Sequence, residues 1–495
     1  METELKFQVP PQTRAKIQRA IATPTARSVN LRARYFDTPD WRLASAGLGL
    51  RLRLEGNDWV QTLKAQGANP LQRFEHEVRV EGGGGGGEPQ LDIERHAGTR
   101  AAQMLDDALG DAAHTLQATY RTNVQRTLRI ARSGSSVVEV AFDVGELIAG
   151  TRRGPICEVE YELKRGRLAG LLEIAARGVV QHRLWLDVRS KAQRGERLAR
   201  GVAAGPVVQA QWPTLTRHMS GDAALRSMVG MCLAQVLPNA AEVAPGAGTA
   251  EHLHQLRVGL RRMRCALRVF GDWCTATDTA WSSALAGLFA RLGAARDADV
   301  LAELVLPELR RAAAPFAELP SGARDDDPAD ALRSVVCNEL LLELIGFAHG
   351  TAAPQGKRAE AAKSQIVGLA RTRIRRMQRQ LQRDAAAFTT LDDTLRHRAC
   401  KRFKRLRYSV EFVASLFSSS AVKRCLNRVR AAQEILGRYN DLTVAEQAFR
   451  AQLARDPQAW YAVGWLAAQR AQWVPTAAKA LSRLAKTPHD WPGRR

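Results

Sequence analysis

The sequence predicts an α+β chain of two domains, a strand-rich N-terminal half followed by an all-helical C-terminal half. Three observations carry this reading. Over residues 1–200, apolar and polar side chains alternate with a period of two. Beyond about residue 220 the period becomes helical, with Ala and Leu dominating. The helical half also contains an internal repeat. At 495 residues, 45% of them hydrophobic, the chain has core enough for more than one domain.

Strand patterns recur in "LRARYFD", "LGLRLRLEG", "WVQTLK", "RFEHEVRVE", "YRTNVQRTLRIA", "VVEVAFDVG" and "ICEVEYELKRG". Short helical patterns interrupt them at roughly 11–22, 99–109 and 167–177. The run Gly82–Gly87 reads as a flexible loop between strands. Residues 201–219, with Gly201, Gly205, Pro206 and Pro213, read as a linker, so the expected domains are 1–200 and 220–490.

Successive side chains on a strand point to opposite faces, so residues of one parity share a face. On β-type parity Glu2, Glu4 and Lys6 fall together, as do Arg32 and Arg34, Arg51 and Arg53, Thr62 and Lys64, and Arg73, Glu75, Glu77 and Arg79. Arg121, Asn123, Gln125, Thr127 and Arg129 form another such set, followed by Glu158, Glu160 and Glu162, and by Arg189 and Lys191. One strand of this kind is the wet side of a half-buried sheet. Across many strands, faces made of Arg and Glu rather than Thr, Ser and Gln favour a closed sheet with a charged interior, because closure removes edges and encloses a cavity. Such an interior must be neutralised. Clustered carboxylates are hard oxygen ligands for Mg²⁺ or Mn²⁺, and clustered Arg and Lys match phosphoryl oxygens.

The residues that carry these charges resemble a known family. The opening Glu2-x-Glu4-x-Lys6, then "YFDTPDWRLASAGLGLRLR", "WVQTLK", "RFEHEV", "EVEYEL" and "SKAQRG", fall in the order of the CYTH family, the triphosphate tunnel metalloenzymes. The resemblance covers about residues 1–200. It implies a closed eight-stranded antiparallel β tunnel with a few helices, which hydrolyses triphosphates with a divalent metal, Mg²⁺ or Mn²⁺. By position it implies Glu2, Glu4, Glu158 and Glu160 as metal ligands, and Arg51, Arg53, Lys64, Arg73, Arg121 and Lys191, with Lys6, as the groups that hold phosphate. We expect Glu4 and Lys6 to act directly in catalysis. Adenylyl cyclase or thiamine-triphosphatase activity is the alternative within the same class, since the motifs do not separate them.

In the helical half, "HQLRVGLRRMRCALRVF" from His254 aligns with "HRACKRFKRLRYSVEFV" from His397, 143 residues on. Arg261 then matches Lys404, Arg262 matches Arg405 and Arg264 matches Arg407. The duplicated units span about 250–312 and 393–455, which predicts a pair of related helical bundles. In the first copy His254, Arg257, Arg261, Arg264 and Arg268 form one helix stripe beside an apolar stripe of Leu253, Leu256, Leu260, Met263 and Leu267. Between 254 and 270 there is no acid, where an ordinary wet face would mix in Glu for i,i+4 pairs.

This arrangement resembles the CHAD family, helical domains that accompany tunnel enzymes and bind inorganic polyphosphate. The resemblance implies a polyphosphate site made of His254, Arg257, Arg261, Arg262, Arg264, His397, Lys401, Lys404 and Arg407, with Arg296, Asp297, Tyr408 and Asp441 also at family-type positions. Cys400 stands where the repeat would place Arg.

The charge balance agrees with anionic partners. The chain carries 73 Lys+Arg against 50 Asp+Glu, a net +23, and the helical half holds the larger share of it. Aromatic residues are only 6% and do not interleave with the basic stripes, so no stacking platform for nucleic acid is expected. Seven scattered cysteines without a C-x-x-C pair fit a reducing cytoplasm, neither a zinc site nor a disulfide framework. No apolar run of membrane-spanning length and no signal pattern is present, so neither membrane insertion nor export is expected. The expectation is therefore a cytoplasmic, metal-dependent hydrolase of inorganic triphosphate whose helical domain binds polyphosphate, including polyphosphate granules. The alternative is a polyphosphate-binding or granule-associated protein without catalysis.

Overall fold

The computed structural model describes residues 2–67, 71–81, 88–293, 301, 305–315, 327–350, 366–454 and 456–485. The glycine run Gly82–Gly87, Arg296 and Asp297 lie outside the described residues.

The N-terminal strands are β1 (Glu2–Gln8), β2 (Arg27–Asp37), β3 (Leu48–Glu55), β4 (Asp58–Gln66), β5 (Gln72–Val80), β6 (Gln117–Ser133), β7 (Ser136–Ala149), β8 (Arg152–Arg165) and the short β9 (Trp185–Leu186). Helices α1 (Arg14–Ile21), α2 (Arg42–Ser45), α3 (Arg100–Leu109), α4 (Leu168–His182) and α5 (Lys191–Arg200) punctuate them. The sheet order is β5-β4-β3-β2-β6-β7-β8-β1-β9, every recorded register is antiparallel, and β5 also pairs with β1 through Glu2↔Arg73 and Thr3↔Gln72. That last pairing closes the first eight strands into a barrel, with β9 added beside the second half of β1. The closed, eight-stranded reading of the sequence therefore holds.

Parity explains why the barrel closes around charge. On β3 and β4, Leu48, Leu50, Leu63 and Ala65 are buried on the outer face, where Ala101, Leu105 and Leu109 of α3 and Leu43 of α2 pack on them. On β1 and β8 the outward Phe7 and Tyr161 meet edge to face at 5.7 Å. Burying each such aliphatic or aromatic side chain contributes about 1.5–3 kcal/mol. The opposite parity has nowhere to go but the lumen, and it carries the Glu, Lys and Arg residues.

Two readings of parity need correction. On β2 the apolar Leu31, Ala33 and Tyr35 line the lumen, and Arg32 and Arg34 are exposed outside. On β6 the lumen receives Tyr120, Thr122, Val124 and Arg126, while Arg121 is exposed on the outer side. The paired register Tyr35↔Tyr120 and Ala33↔Thr122 places the two strands' inward sets together, and Tyr35 stacks on Tyr120 at 4.6 Å.

The helical half continues with α6 (Gly221–Val243), α7 (Ala250–Phe270), α8 (Ala280–Arg291), α9 (Leu306–Arg311), α10 (Pro328–Arg333), α11 (Val335–Ala348), α12 (Ile366–Ala387), α13 (Asp393–Val413), α14 (Ser419–Arg450) and α15 (Ala459–Ala485). Residues 201–220 carry no helix or strand. The repeat is visible as α7 and α13, each of 21 residues. Their apolar stripes, Leu256, Leu260 and Met263 in one and Phe403, Leu406 and Val410 in the other, are buried. Phe270 of α7 meets Phe412 of α13 edge to face at 6.5 Å.

The chain forms two compact units. The first is Met1–Val208 with Leu237–His252 and Leu332–Gly346; the second is Gln209–Val236, Leu253–Ala331 and Phe347–Arg495. Helix α6 is thus shared, and the division falls beside Pro238, which cannot donate a helical hydrogen bond. Among the described residues no helix is long and apolar enough to cross a membrane.

Candidate active site

The lumen forms a cavity of about 340 Å³ bounded by strands and by α5. Its most charged wall is built by β1, β7, β8 and α5. Register sets Asp143 opposite Glu158 across β7–β8, and Lys6 opposite Glu160 across β8–β1. Asp143, Glu158 and Glu160 each present a carboxylate oxygen within 4.8 Å of the other two. Asp143 and Glu158 are fully buried.

Lys191 reaches this trio from the first turn of α5. Its Nζ lies 2.7 Å from Asp143 and 2.8 Å from Glu160. The helix starts there because Ser190 and Gln193 form a capping box: Gln193 N donates to Ser190 Oγ at 3.0 Å, and Ser190 N donates to Gln193 Oε1 at 2.9 Å. Parity read Arg189 and Lys191 as strand neighbours; instead Lys191 opens a helix and Arg189 folds back onto Asp187. A cation at a helix N-terminus opposes the dipole, so the position is tolerable because three carboxylates face it. Gly195 lets α5 come close: a Cβ there would lie 2.2 Å from the Tyr120 ring.

Two further arginines complete the wall, and the sequence reading named neither. Arg126 donates through Nε and Nη2 to both oxygens of Asp143, at 2.7 and 2.6 Å, and also contacts Glu160. Arg194, one helical turn beyond Lys191, binds Glu158. Burial opposes ionisation of all three acids, but Lys191 and Arg126 hold Asp143 and Glu160 below the usual carboxylate range, and Arg194, Lys191 and Lys6 do so for Glu158.

The other acids and bases occupy the adjoining wall of β3, β4, β5 and β1. Lys64 Nζ lies 2.7 Å from Glu75 and 3.7 Å from Glu2. Arg73 Nε lies 2.8 Å from Glu4. Arg51 Nη2 lies 3.6 Å from Glu75 and 4.0 Å from Glu77, and Arg53 reaches Glu55 and Glu77. Burial and a shared hydrogen bond with Glu75 push the Glu2 carboxyl up to about 8, against the pull of Lys64. The structure therefore brings Glu158 and Glu160 together with Asp143, and seats Glu2 and Glu4 instead against Lys64, Glu75 and Arg73. Lys6, Arg51, Arg53, Lys64, Arg73 and Lys191 all face the lumen or its buried wall. Arg121 does not, and Arg126 takes the inward place on that strand.

Lys6 is the group left over. It is 3% exposed, and its Nζ has no hydrogen-bond partner among the described residues. Burial pushes its ammonium down to about 8, even with Glu158 and Asp187 nearby. Arg51, equally deep, has Nε without a hydrogen bond. Buried donors without acceptors are costly and suit an anion entering the lumen.

The signature "YFDTPDW" has a structural part in this. The Asp37 carboxylate accepts from the backbone amides of Thr38, Leu43 and Ala44 at 2.8–2.9 Å, which fixes the turn that delivers Arg51 and Arg53 on β3.

In the second unit, α7 and α13 bring part of the predicted polyanion set together. Arg257, Arg261 and Arg264 all lie over the ring of Phe289 of α8, at 5.0, 5.3 and 5.7 Å. Burial, then the charges of Arg261 and Arg257, lower the Lys404 ammonium to about 8, so the two copies meet at this point. Burial and the neighbouring Lys401 and Lys404 also lower His397. His254 is half-buried on the same helix as Arg257.

Two predicted members sit elsewhere. Arg262 is fully buried: it donates to Gln235 Oε1 at 3.1 Å and Gln211 O at 2.7 Å, and lies over the Phe412 ring at 5.2 Å. It is part of the core and not of the polyanion face. Arg407 donates to Glu411 Oε1 at 2.7 Å. Glu411 occupies the repeat position that is Arg268 in the first copy, so the second copy neutralises a cation that the first leaves among cations.

Residues 1–195 match the CYTH domain and residues 227–450 the CHAD domain. An inorganic triphosphatase of Haemophilus influenzae is 32% identical over 201 residues, which are 39% of this chain and 54% of that protein. The chain thus matches about half the length of this curated relative. The crystal structure of the CHAD domain from the plant Ricinus communis is 29% identical, with a TM-score of 0.50, and covers 59% of this chain and 100% of its own. The chain therefore carries a CYTH domain at residues 1–195 followed by a CHAD domain at residues 227–450.

Proposed function

We propose that the tunnel hydrolyses inorganic triphosphate with the help of a divalent cation, and that the helical domain binds inorganic polyphosphate. The observation that carries the first part is the pairing, within one barrel, of a three-carboxylate cluster with buried cationic donor atoms that lack hydrogen-bond acceptors among the described residues, Lys6 Nζ above all. The relative named an inorganic triphosphatase supports it.

The donor set fits a hard cation. Asp143, Glu158 and Glu160 offer oxygen alone, with no thiolate or imidazole beside them, which favours Mg²⁺ or Mn²⁺ over zinc. When bound there, the cation supplies charge neutralisation to the phosphoryl oxygens. The protein's own work is positioning. Arg51, Arg53, Lys64 and Arg73 line a cavity in which an elongated phosphate chain meets a cation on several sides, and Lys6 lines a small pocket that shares Glu4 and Arg73 with it. Lys191, Arg126 and Arg194 hold the carboxylates ionised and in place before substrate arrives. Glu4, held by Arg73, is the acid we assign to orienting the attacking water, with Lys6 stabilising the charge that develops on the leaving phosphate.

For the helical domain, the support is the crowd of Arg257, Arg261, Arg264 and Lys404, whose mutual repulsion an anionic polymer relieves. Phosphate release measured with triphosphate, ATP, thiamine triphosphate and long polyphosphate, with and without Mg²⁺ or Mn²⁺, tests the first part. Binding of polyphosphate in competition with double-stranded DNA at equal phosphate concentration tests the second, which fails if the DNA displaces the polyphosphate.

A further inference from the structure

Glu242 lies in the last turn of α6, inside the stretch matched by the CHAD domain, yet it belongs to the same compact unit as the tunnel and lines the tunnel cavity with Pro238. It is 3% exposed. One carboxylate oxygen contacts Arg197 Nη1, and the other lies 3.6 Å from Arg189 Nη1. Arg189 is also gripped by Asp187, through Nε at 2.9 Å and Nη2 at 2.8 Å. Arg197 has Gly205 at its back: a Cβ at that position would fall 2.0 Å from the guanidinium.

The connector beside them is pinned. Val208 exchanges hydrogen bonds with the Asn239 side chain, at 3.3 and 2.8 Å, and His252 Nε2 lies 3.1 Å from Gly205 O. The two arginines at this end of the cavity are thus matched by two buried carboxylates and locked in place. Deeper in, Lys6 and Arg51 keep donors without acceptors.

We infer that Glu242 is a positioning residue that sets the length of phosphate chain the tunnel accepts: by neutralising Arg189 and Arg197 it removes them as partners for a fourth phosphoryl group. This rests on the triphosphatase reading. It makes a residue from the CHAD stretch a specificity determinant of the CYTH site.

The test compares full-length wild type with Glu242→Gln and Glu242→Asp on tripolyphosphate and tetrapolyphosphate, with metal present. Glu242→Gln keeps the shape and removes the charge, freeing the Arg197 guanidinium and leaving Arg189 held by Asp187 alone. The ratio of kcat/KM for tripolyphosphate over tetrapolyphosphate falls at least fivefold, carried by a lower KM for the longer chain. Glu242→Asp restores the ratio to within twofold of wild type. A folded Glu242→Gln protein whose ratio stays within twofold of wild type overturns the inference, as does an equal loss on both substrates, which is what a purely structural role predicts. Should Glu242→Gln fail to fold, Arg197→Gln gives the converse reading: the ratio rises, and an unchanged ratio overturns the inference. Absence of phosphate release by wild type from either chain contradicts the triphosphatase reading itself, an outcome distinct from these.

Discussion

Arg126 grips Asp143 with two parallel bonds, 2.7 and 2.6 Å long, across neighbouring strands on the inside of the barrel. Asp143 is fully buried, so Lys191 and then this fork keep it an anion against the cost of burial, and the fork aims it at Glu158 and Glu160. Arg126→Gln is therefore expected to lower kcat/KM for triphosphate at least tenfold, about 1.4 kcal/mol. Arg121→Gln, on the outer face, changes it less than threefold. Steady-state phosphate release by both variants checks the assignment.

The carboxylate trio predicts where the cation binds. Asp143→Asn and Glu158→Gln should each weaken Mn²⁺ binding more than tenfold in a calorimetric titration. Chelation of the metal should abolish phosphate release in wild type, with recovery on adding Mg²⁺ or Mn²⁺. Glu75→Gln, on the adjoining wall, should weaken Mn²⁺ binding less than either, because Glu75 lies with Lys64 and Glu2 outside the trio.

Adjacent arginines on α7 are expected to behave oppositely. Arg262 is sealed in the core with two hydrogen bonds, so Arg262→Ala leaves Gln235 and the Gln211 carbonyl short of a donor and opens a cavity. It should cost about 2–4 kcal/mol of stability in denaturant unfolding. Arg261→Ala should shift stability by less than about 0.5 kcal/mol and weaken polyphosphate binding several-fold.

These pairs also mark what the sequence conveys and what it hides. Short strands with one charged parity, such as Glu2, Glu4 and Lys6, or Arg51 and Arg53 between leucines, are legible because the apolar partners on the other parity must go outward. On β6 and β2 that logic misleads. Arg121 and Arg126 have opposite parity on a 17-residue strand, and only the pairing with β2 and β7, made through distant residues, decides which faces in. Asp143, the fully buried acid of "VVEVAFDVGELIA" between Glu139 and Glu146, gives a faint signal: a charge within a buried apolar strand needs a partner. Arg262 belongs to the core because α7 is buried over much more than one stripe, so the acid-free run 254–270 marks a core arginine as well as a basic face.

The crowded amine of Lys404 predicts a pH effect. Its folded pKa, about 8, lies below the ordinary 10.5 because burial and Arg261 and Arg257 disfavour the charge. Between these values the unfolded chain holds a proton that the folded chain has released, so this residue's contribution to stability rises with pH across that window and is least favourable below pH 8. Bound polyphosphate relieves the repulsion where the amine is charged. The rise in Tm on adding polyphosphate should thus be larger at pH 7 than at pH 9.5, and Lys404→Met should shrink that difference.

The most direct measurement is phosphate release from inorganic triphosphate by the full-length chain, with and without Mg²⁺ or Mn²⁺, for wild type and Lys6→Met. The tunnel account predicts metal-dependent release by wild type and a loss of at least a hundredfold when the buried ammonium is removed. Release that needs no metal, or that persists at the wild-type rate in Lys6→Met, would contradict it.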